Sequence, residues 1–194
     1  MKAPSNSTQP SSREEWRAWL RQNHTQDGGI WLINYKKATG QQTYTFDEAV
    51  EEALCFGWID SKPSKVDEQR SMLWFSPRKP GSGWSRLNKE RIEKMIQRGQ
   101  MAAAGLAKIE AAKLDGSWTS LDAIEALEIP SDLEDAFSLY SSARQNFEAF
   151  PRSAKRGILE WISKAKRPET RVKRVKETAQ LAEENIRANQ WKRN

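Results

Sequence analysis

The segment Arg78-Lys79-Pro80-Gly81-Ser82-Gly83-Trp84-Ser85 holds the residue types best suited to chemistry in this sequence. Its glycines free the backbone to approach a ligand, and Arg78 and Lys79 are cationic. Ser85 is placed to cap a helix that runs through Asn88. The unpaired N–H groups at that helix start point back at the loop, an arrangement that binds anions. Trp74 and Trp84 would add a stacking face. Trp58 and Asp60 follow the Gly57 break and approach the loop if two neighbouring β-type stretches pair, setting a carboxylate beside the cations. An anion site would therefore draw on Arg78, Lys79, Gly81, Gly83, Trp84, Ser85, Asn88, Asp60 and Trp58. The plainer alternatives are a rigid Pro/Gly connection with Trp84 in the core, and a structural ion pair at Asp60.

Other chemistries lack their residues. The chain has one histidine, His24, at the end of a helix beside a Gly-Gly turn, and one cysteine, Cys55, among Leu54, Phe56 and Trp58. A histidine-based triad or a common zinc site cannot be assembled from these. Cys55 reads as a buried, inert thiol. The acids Asp47, Glu48, Glu51 and Glu52 lack the alternation and central glycine of a calcium loop, and fit a helix N-terminus instead. No P-loop or dinucleotide fingerprint is present. No catalytic residue, metal site or cofactor is nominated. A small-molecule enzyme pocket around Cys55, Trp58, Asp60 and Arg78 is kept as an alternative.

The net charge of +6 is unevenly spread: residues 62–98 carry ten basic and four acidic groups, and residues 152–194 thirteen and five, while residues 99–151 carry three and nine. The second basic region includes Lys164, Lys166, Arg167, Arg171, Lys173 and Arg174. Such an array binds phosphate backbones through counterion release, with weak sequence preference where base-reading motifs are lacking. Solvated helix faces are the ordinary explanation of runs like these.

The elements that must position these groups follow from periodicity and caps. Ser12 and Glu15 have capping-box spacing, with Trp16, Trp19 and Leu20 as the stripe of a helix to about Asn23. Residues 30–37 read as a strand. A second box, Thr45 and Glu48, opens a helix that Gly57 ends. Strands follow at 58–67 and 71–76. The alternation of Met72 and Trp74 with Leu73 and Phe75 marks an interior strand covered on both sides. Helices follow the loop, to Gly99 and then to Leu114. Beyond Trp118 the pattern is wholly helical, with a third capping box at Ser131 and Glu134, and Pro168 at the start of a last helix from Glu169 to about Ala188.

With these elements laid out, the sequence resembles the bacterial YdeI/OmpD-associated, or bacteriocin-protection, family. The resemblance lies in Glu52-Ala53-Leu54-Cys55-Phe56-Gly57-Trp58-Ile59-Asp60, in Phe75-Ser76-Pro77 running into the loop, in Asn88, Arg91 and Ile92, and in Gln100-Met101-Ala102-Ala103-Ala104-Gly105-Leu106. It continues in Trp161-Ile162-Ser163-Lys164-Ala165-Lys166-Arg167-Pro168-Glu169-Thr170-Arg171 and covers about residues 13–118 and 131–190. It implies a link to bacteriocin tolerance and envelope stress, with association to an outer-membrane porin. It supplies no reaction and no catalytic residue to carry over.

The expected fold is α+β: a small, mostly antiparallel three-stranded sheet packed with helices, followed by an all-helical C-terminal region. The expected division is a disordered tail at 1–11, an α+β domain at 12–117, a linker at 118–130 and a helical domain at 131–190. The connection 37–58 is the one place for a parallel pairing. No apolar run could span a bilayer and no export signal opens the chain, so the expected location is the cytoplasm, without membrane insertion. The expected role is a non-enzymatic stress accessory protein binding an anionic small molecule or a protein partner through residues 78–88. The alternative is a nucleic-acid binder using the C-terminal cations.

Overall fold

A computed structural model describes residues 3–190 and divides the chain into two compact units that meet in sequence at Ser120 and Leu121. The first begins with β1 (Ser7–Thr8), α1 (Arg13–Asn23) and β2 (Ile30–Tyr35), and continues through α2 (Phe46–Cys55), β3 (Trp58–Lys65) and β4 (Arg70–Pro77) to α3 (Arg86–Gln97) and α4 (Ala103–Leu114). The strands form one sheet in the order β1-β2-β4-β3.

The sheet has four strands and is mixed, where three mostly antiparallel strands were expected. The additional strand comes from the segment assigned to a disordered tail. Ser7 and Thr8 pair in parallel with Trp31 and Leu32, and Asn6 O accepts the Trp31 N–H at 3.0 Å. Two residues are too few for a period-2 pattern to register. Of that tail, residues 1 and 2 lie outside the described residues.

The parallel pair is also not where the sequence placed it. The chain leaves β2, passes through α2 and enters β3 one strand further along, and β4 fills the gap. Both neighbours of β4 are antiparallel to it, with Trp31 opposite Trp74, Ile33 opposite Met72 and Asp60 opposite Phe75. As an interior strand, β4 turns Leu73 and Phe75 towards the helices and Met72 towards a small cluster with Ile33 and Val66. The β3–β4 turn is closed by the Asp67 carboxylate, which accepts the Gln69 and Arg70 N–H groups at 3.0 and 2.7 Å.

Caps fix the helix starts. The Thr45–Glu48 box of α2 is complete, and Gly57, at φ 76°, ends the turn after that helix in the left-handed region. Trp16 and Leu20 share one face of α1 and are fully buried. α4 crosses α2 so closely that a Cβ at Gly105 would fall on the Cys55 carbonyl oxygen and 2.7 Å from its carbon. Backbone cannot yield as a side chain tip can, so Gly105→Ala must push the helices apart. The expected loss is about 2 kcal/mol, read as a lower urea midpoint at unchanged m-value.

The second unit is helical throughout its described residues. It contains α5 (Asp122–Ala126), α6 (Ser131–Phe137), α7 (Ala143–Ala149), α8 (Arg152–Ser163) and α9 (Pro168–Glu183) around Leu133, Phe137, Phe147, Ile158, Ile162 and Ala179. The expected linker contains α5. The third capping box does not form: Pro130 takes the N-cap position, its carbonyl accepting the Leu133 and Glu134 N–H groups, and Ser131 becomes the first helical residue. Glu134 pairs instead with Arg144. Pro168 opens α9 as its fixed φ suggests. That helix stops earlier than expected, at Glu183, before Asn185 turns left-handed at φ 56°.

Candidate functional site

The loop after β4 folds around its own arginine. The Arg78 N–H donates to Gly57 O at 2.9 Å, anchoring the loop to the turn after α2. Its guanidinium lies over the Trp84 ring at 3.6 Å and donates to Gly83 O at 2.8 Å and Ser82 O at 3.2 Å. Arg78 is 5% exposed and Trp84 2%. Trp84 in turn meets Trp118 at 5.1 Å. Ser82 closes the inner turn by donating its hydroxyl to Lys79 O at 2.7 Å.

Burial pushes the Arg78 guanidinium down to about 10, against the opposing pull of Asp60. The guanidinium donates to two neutral carbonyls, and no carboxylate accepts a hydrogen bond from it among the described residues. Asp60 is half-buried, and desolvation raises its carboxyl above the usual range despite Arg91 and Arg78 nearby.

Beside this arginine is a cavity of about 60 Å³, bordered by Lys79, Gly81, Ser82, Lys108, Asp115 and Ser117 as well as Arg78. Gly81, at φ 71°, donates its N–H to the Asp115 carboxylate at 3.1 Å, and the Ser117 N–H donates to the same carboxylate at 2.8 Å. The Ser117 side chain, together with these two backbone bonds, holds the Asp115 carboxyl below its ordinary range.

The residues proposed from sequence therefore separate into groups. Arg78, Lys79, Gly81 and Trp84 border the cavity, and Gly83 contributes a carbonyl to Arg78. Ser85 and Asn88 belong to the start of α3, where the Ser85 hydroxyl accepts the Asn88 N–H at 3.4 Å and Asn88 accepts a bond from Arg91. Trp58 is fully buried, its indole N–H donating to His24 O at 2.9 Å, and does not line the cavity. Trp74 packs edge-on against Trp31 at 5.2 Å, so the stacking face at the loop is Trp84 alone. Lys108, Asp115 and Ser117 were not singled out by the sequence; Asp115-Gly116-Ser117 reads there only as a boundary.

The acids on α2 have a second role beyond the helix dipole. Glu52, 2% exposed, accepts from Arg13 at 2.6 Å and Arg17 at 2.5 Å. Glu51 accepts from Arg13 at 3.0 Å and Lys94 at 2.7 Å. Burial opposes the ionisation of Glu51, but the bonds to Lys94 and Arg13 hold its carboxyl below the ordinary range. This network bolts α1 and α3 to α2.

Cys55 is fully buried, and burial pushes its thiol up to about 11. The thiolate is the reacting form. The folded protein should resist alkylation by iodoacetamide at pH 8 and react once unfolded in guanidinium, as mass spectrometry of the labelled chain will check.

In the helical unit, Arg171 grips Asp132 through two bonds at 2.6 and 2.9 Å. Arg174 lies over Trp161 at 4.8 Å and donates to its carbonyl, and Lys164 pairs with Glu160 at 2.6 Å. Lys166, Arg167 and Lys173 are exposed. Of the array proposed for nucleic acid, Arg171 and Arg174 thus hold helices together, and Lys164 makes a local pair at the end of α8.

The two units together define an α+β protein with a helical C-terminal module. The chain belongs to the family whose model is described as a domain of unknown function (DUF8412), matched over residues 8–108. Its residues 126–185 match the family model described as "Bacteriocin-protection, YdeI or OmpD-Associated". The resemblance drawn from sequence is thereby shown at the helical unit, whereas the first unit falls to a model of its own. No curated protein and no solved structure matches the chain. No described helix is long and apolar enough to cross a membrane.

Proposed function

We infer that this chain is a non-enzymatic accessory protein that binds a small anionic ligand through the loop and helix at residues 78–88, in the service of bacteriocin tolerance. The observation that carries the binding is Arg78, a guanidinium 5% exposed whose hydrogen bonds go only to carbonyls. Buried charges are ordinarily neutralised by a partner, because desolvating an unpaired ion costs several kcal/mol. An anion entering the adjoining cavity would supply that partner, with Lys79 and Lys108 at its rim. Glycine at position 81 keeps the backbone low where the ligand would lie. The tolerance role rests on the description of the family that the helical unit matches.

A thermal-shift series with phosphate, sulfate and phosphorylated metabolites tests the site. Stabilisation should rise with ligand concentration and fall sharply in Lys79→Ala and Lys108→Ala, two exposed positions whose loss leaves the core intact. An equal response from parent and both variants would sink the site.

The nucleic-acid reading keeps Lys166, Arg167 and Lys173. It predicts binding to random single-stranded DNA that weakens steeply with salt and drops in a triple Ala variant. A flat, weak response at low salt removes it.

A further inference from the structure

The cavity beside Arg78 already has an anion at its edge, the chain's own Asp115 carboxylate. Its oxygens take the N–H groups of Gly81 and Ser117, at 3.1 and 2.8 Å. Turn backbone N–H groups, one of them on a left-handed glycine, are donors of the kind that cradle phosphate and sulfate groups. The buried Arg78 and the exposed Lys79 and Lys108 border the same space. At about 60 Å³ the cavity has room for one oxyanion group. Asp115 itself is exposed and follows the last residue of α4, with Gly116 next at φ 77°, so its side chain can turn out to solvent without disturbing the core.

We propose that this cavity takes a single phosphate or sulfate group, free or at the end of a small metabolite, in exchange for the Asp115 carboxylate. The proposal rests on the anion-binding reading above and adds the ligand's size and a competitor built into the chain. With Asp115 in place, an incoming dianion meets a fixed negative charge and finds two of its donors taken. With Asp115 swung out, it gains both N–H groups and becomes the counter-ion of Arg78. Binding is thereby held weak in the resting protein and depends on how easily one exposed side chain leaves.

Calorimetric titration of the full chain with inorganic phosphate, and separately with glycerol phosphate against glycerol, tests this. Asp115→Ala should bind phosphate at least about tenfold more tightly than the parent, since it removes like-charge repulsion and frees two donors. Asp115→Asn keeps the shape and loses the charge. It should also bind more tightly, so a folding defect in the alanine variant does not decide the question. Adding Lys108→Ala to Asp115→Ala should remove most of the gain. Glycerol phosphate binding as well as phosphate assigns the terminal group of a larger molecule, whereas phosphate binding alone assigns the free ion; either supports the exchange. A parent that binds phosphate, with both Asp115 variants binding no more tightly, overturns the exchange while leaving the anion site standing. No binding by the parent or by either variant overturns both.

Discussion

Glu52→Ala should lower the stability of the first unit by about 3 kcal/mol, the largest effect expected of any exchange of a charged residue here. Glu52 is 2% exposed and holds both Arg13 and Arg17, at 2.6 and 2.5 Å. Removing one member of a buried pair costs about 3–5 kcal/mol because the partner is left uncompensated. The arginine side chains are 21% and 24% exposed, so water recovers part of that. Arg17 also donates to Gln100 O at 2.6 Å and lies over the Phe56 ring, which ties the α1 end of the network to the segment before α4. Urea unfolding followed by tryptophan fluorescence measures the change. A shift under about 0.5 kcal/mol, the scale of a surface substitution, would show that the network is ornamental.

Trp84→Ala should be costlier still, at about 4 kcal/mol, and should also abolish any response to phosphate. Trp84 is 2% exposed, and deleting a buried aromatic of this size costs about 3–5 kcal/mol through lost contact and cavity. It also removes the surface on which Arg78 rests at 3.6 Å. Without that face the guanidinium loses its fixed position, and with it the preorganised charge at the cavity. Trp84→Phe separates the two effects: a smaller ring still offers a π face, so stability should drop by less and phosphate binding should survive in weakened form. The paired measurement is unfolding midpoint and phosphate affinity on the same samples. Full phosphate binding by a folded Trp84→Ala protein would show that the stack does not position Arg78.

Much of the positioning frame was legible because it rests on local chemistry. Ser12, Thr45 and Ser85 each cap the helix assigned to them, and the double alternation in Ser71–Ser76 marks an interior strand correctly. What escaped was held by partners far along the chain. Ser7 and Thr8 form a strand only because Trp31 and Leu32 lie beside them. Glu51 and Glu52 satisfy the pattern of a helix N-terminus equally well whether solvated or clasped by Arg13 and Lys94, so spacing cannot separate the two. At the third box, Ser131 and Glu134 have the right spacing, yet the preceding proline already supplies the extended residue that starts a helix.

The candidate site divides in the same way. Arg78, Gly81 and Trp84 were found from composition within a single loop. The carboxylate that meets this loop, Asp115, is 34 residues from Gly81 and sits in an Asp-Gly-Ser turn indistinguishable from an ordinary helix stop. Trp58 and Asp60 were linked to the loop through the strand pairing, which does occur. Two residues apart on β3, Trp58 and Asp60 share one face of the sheet, with Trp58 fully buried and Asp60 half-buried.

The central claim is that Arg78 and the Gly81 turn form an oxyanion site in the first unit. It is tested most directly by amide NMR of the full chain during a phosphate titration at constant ionic strength. The Gly81 and Ser117 amide resonances should shift along saturable curves sharing one dissociation constant, with Arg78 Nε–H following them and the helical unit unmoved. Shifts that are absent, that grow linearly without saturation, or that fall chiefly on Lys166, Arg167 and Lys173 would contradict it.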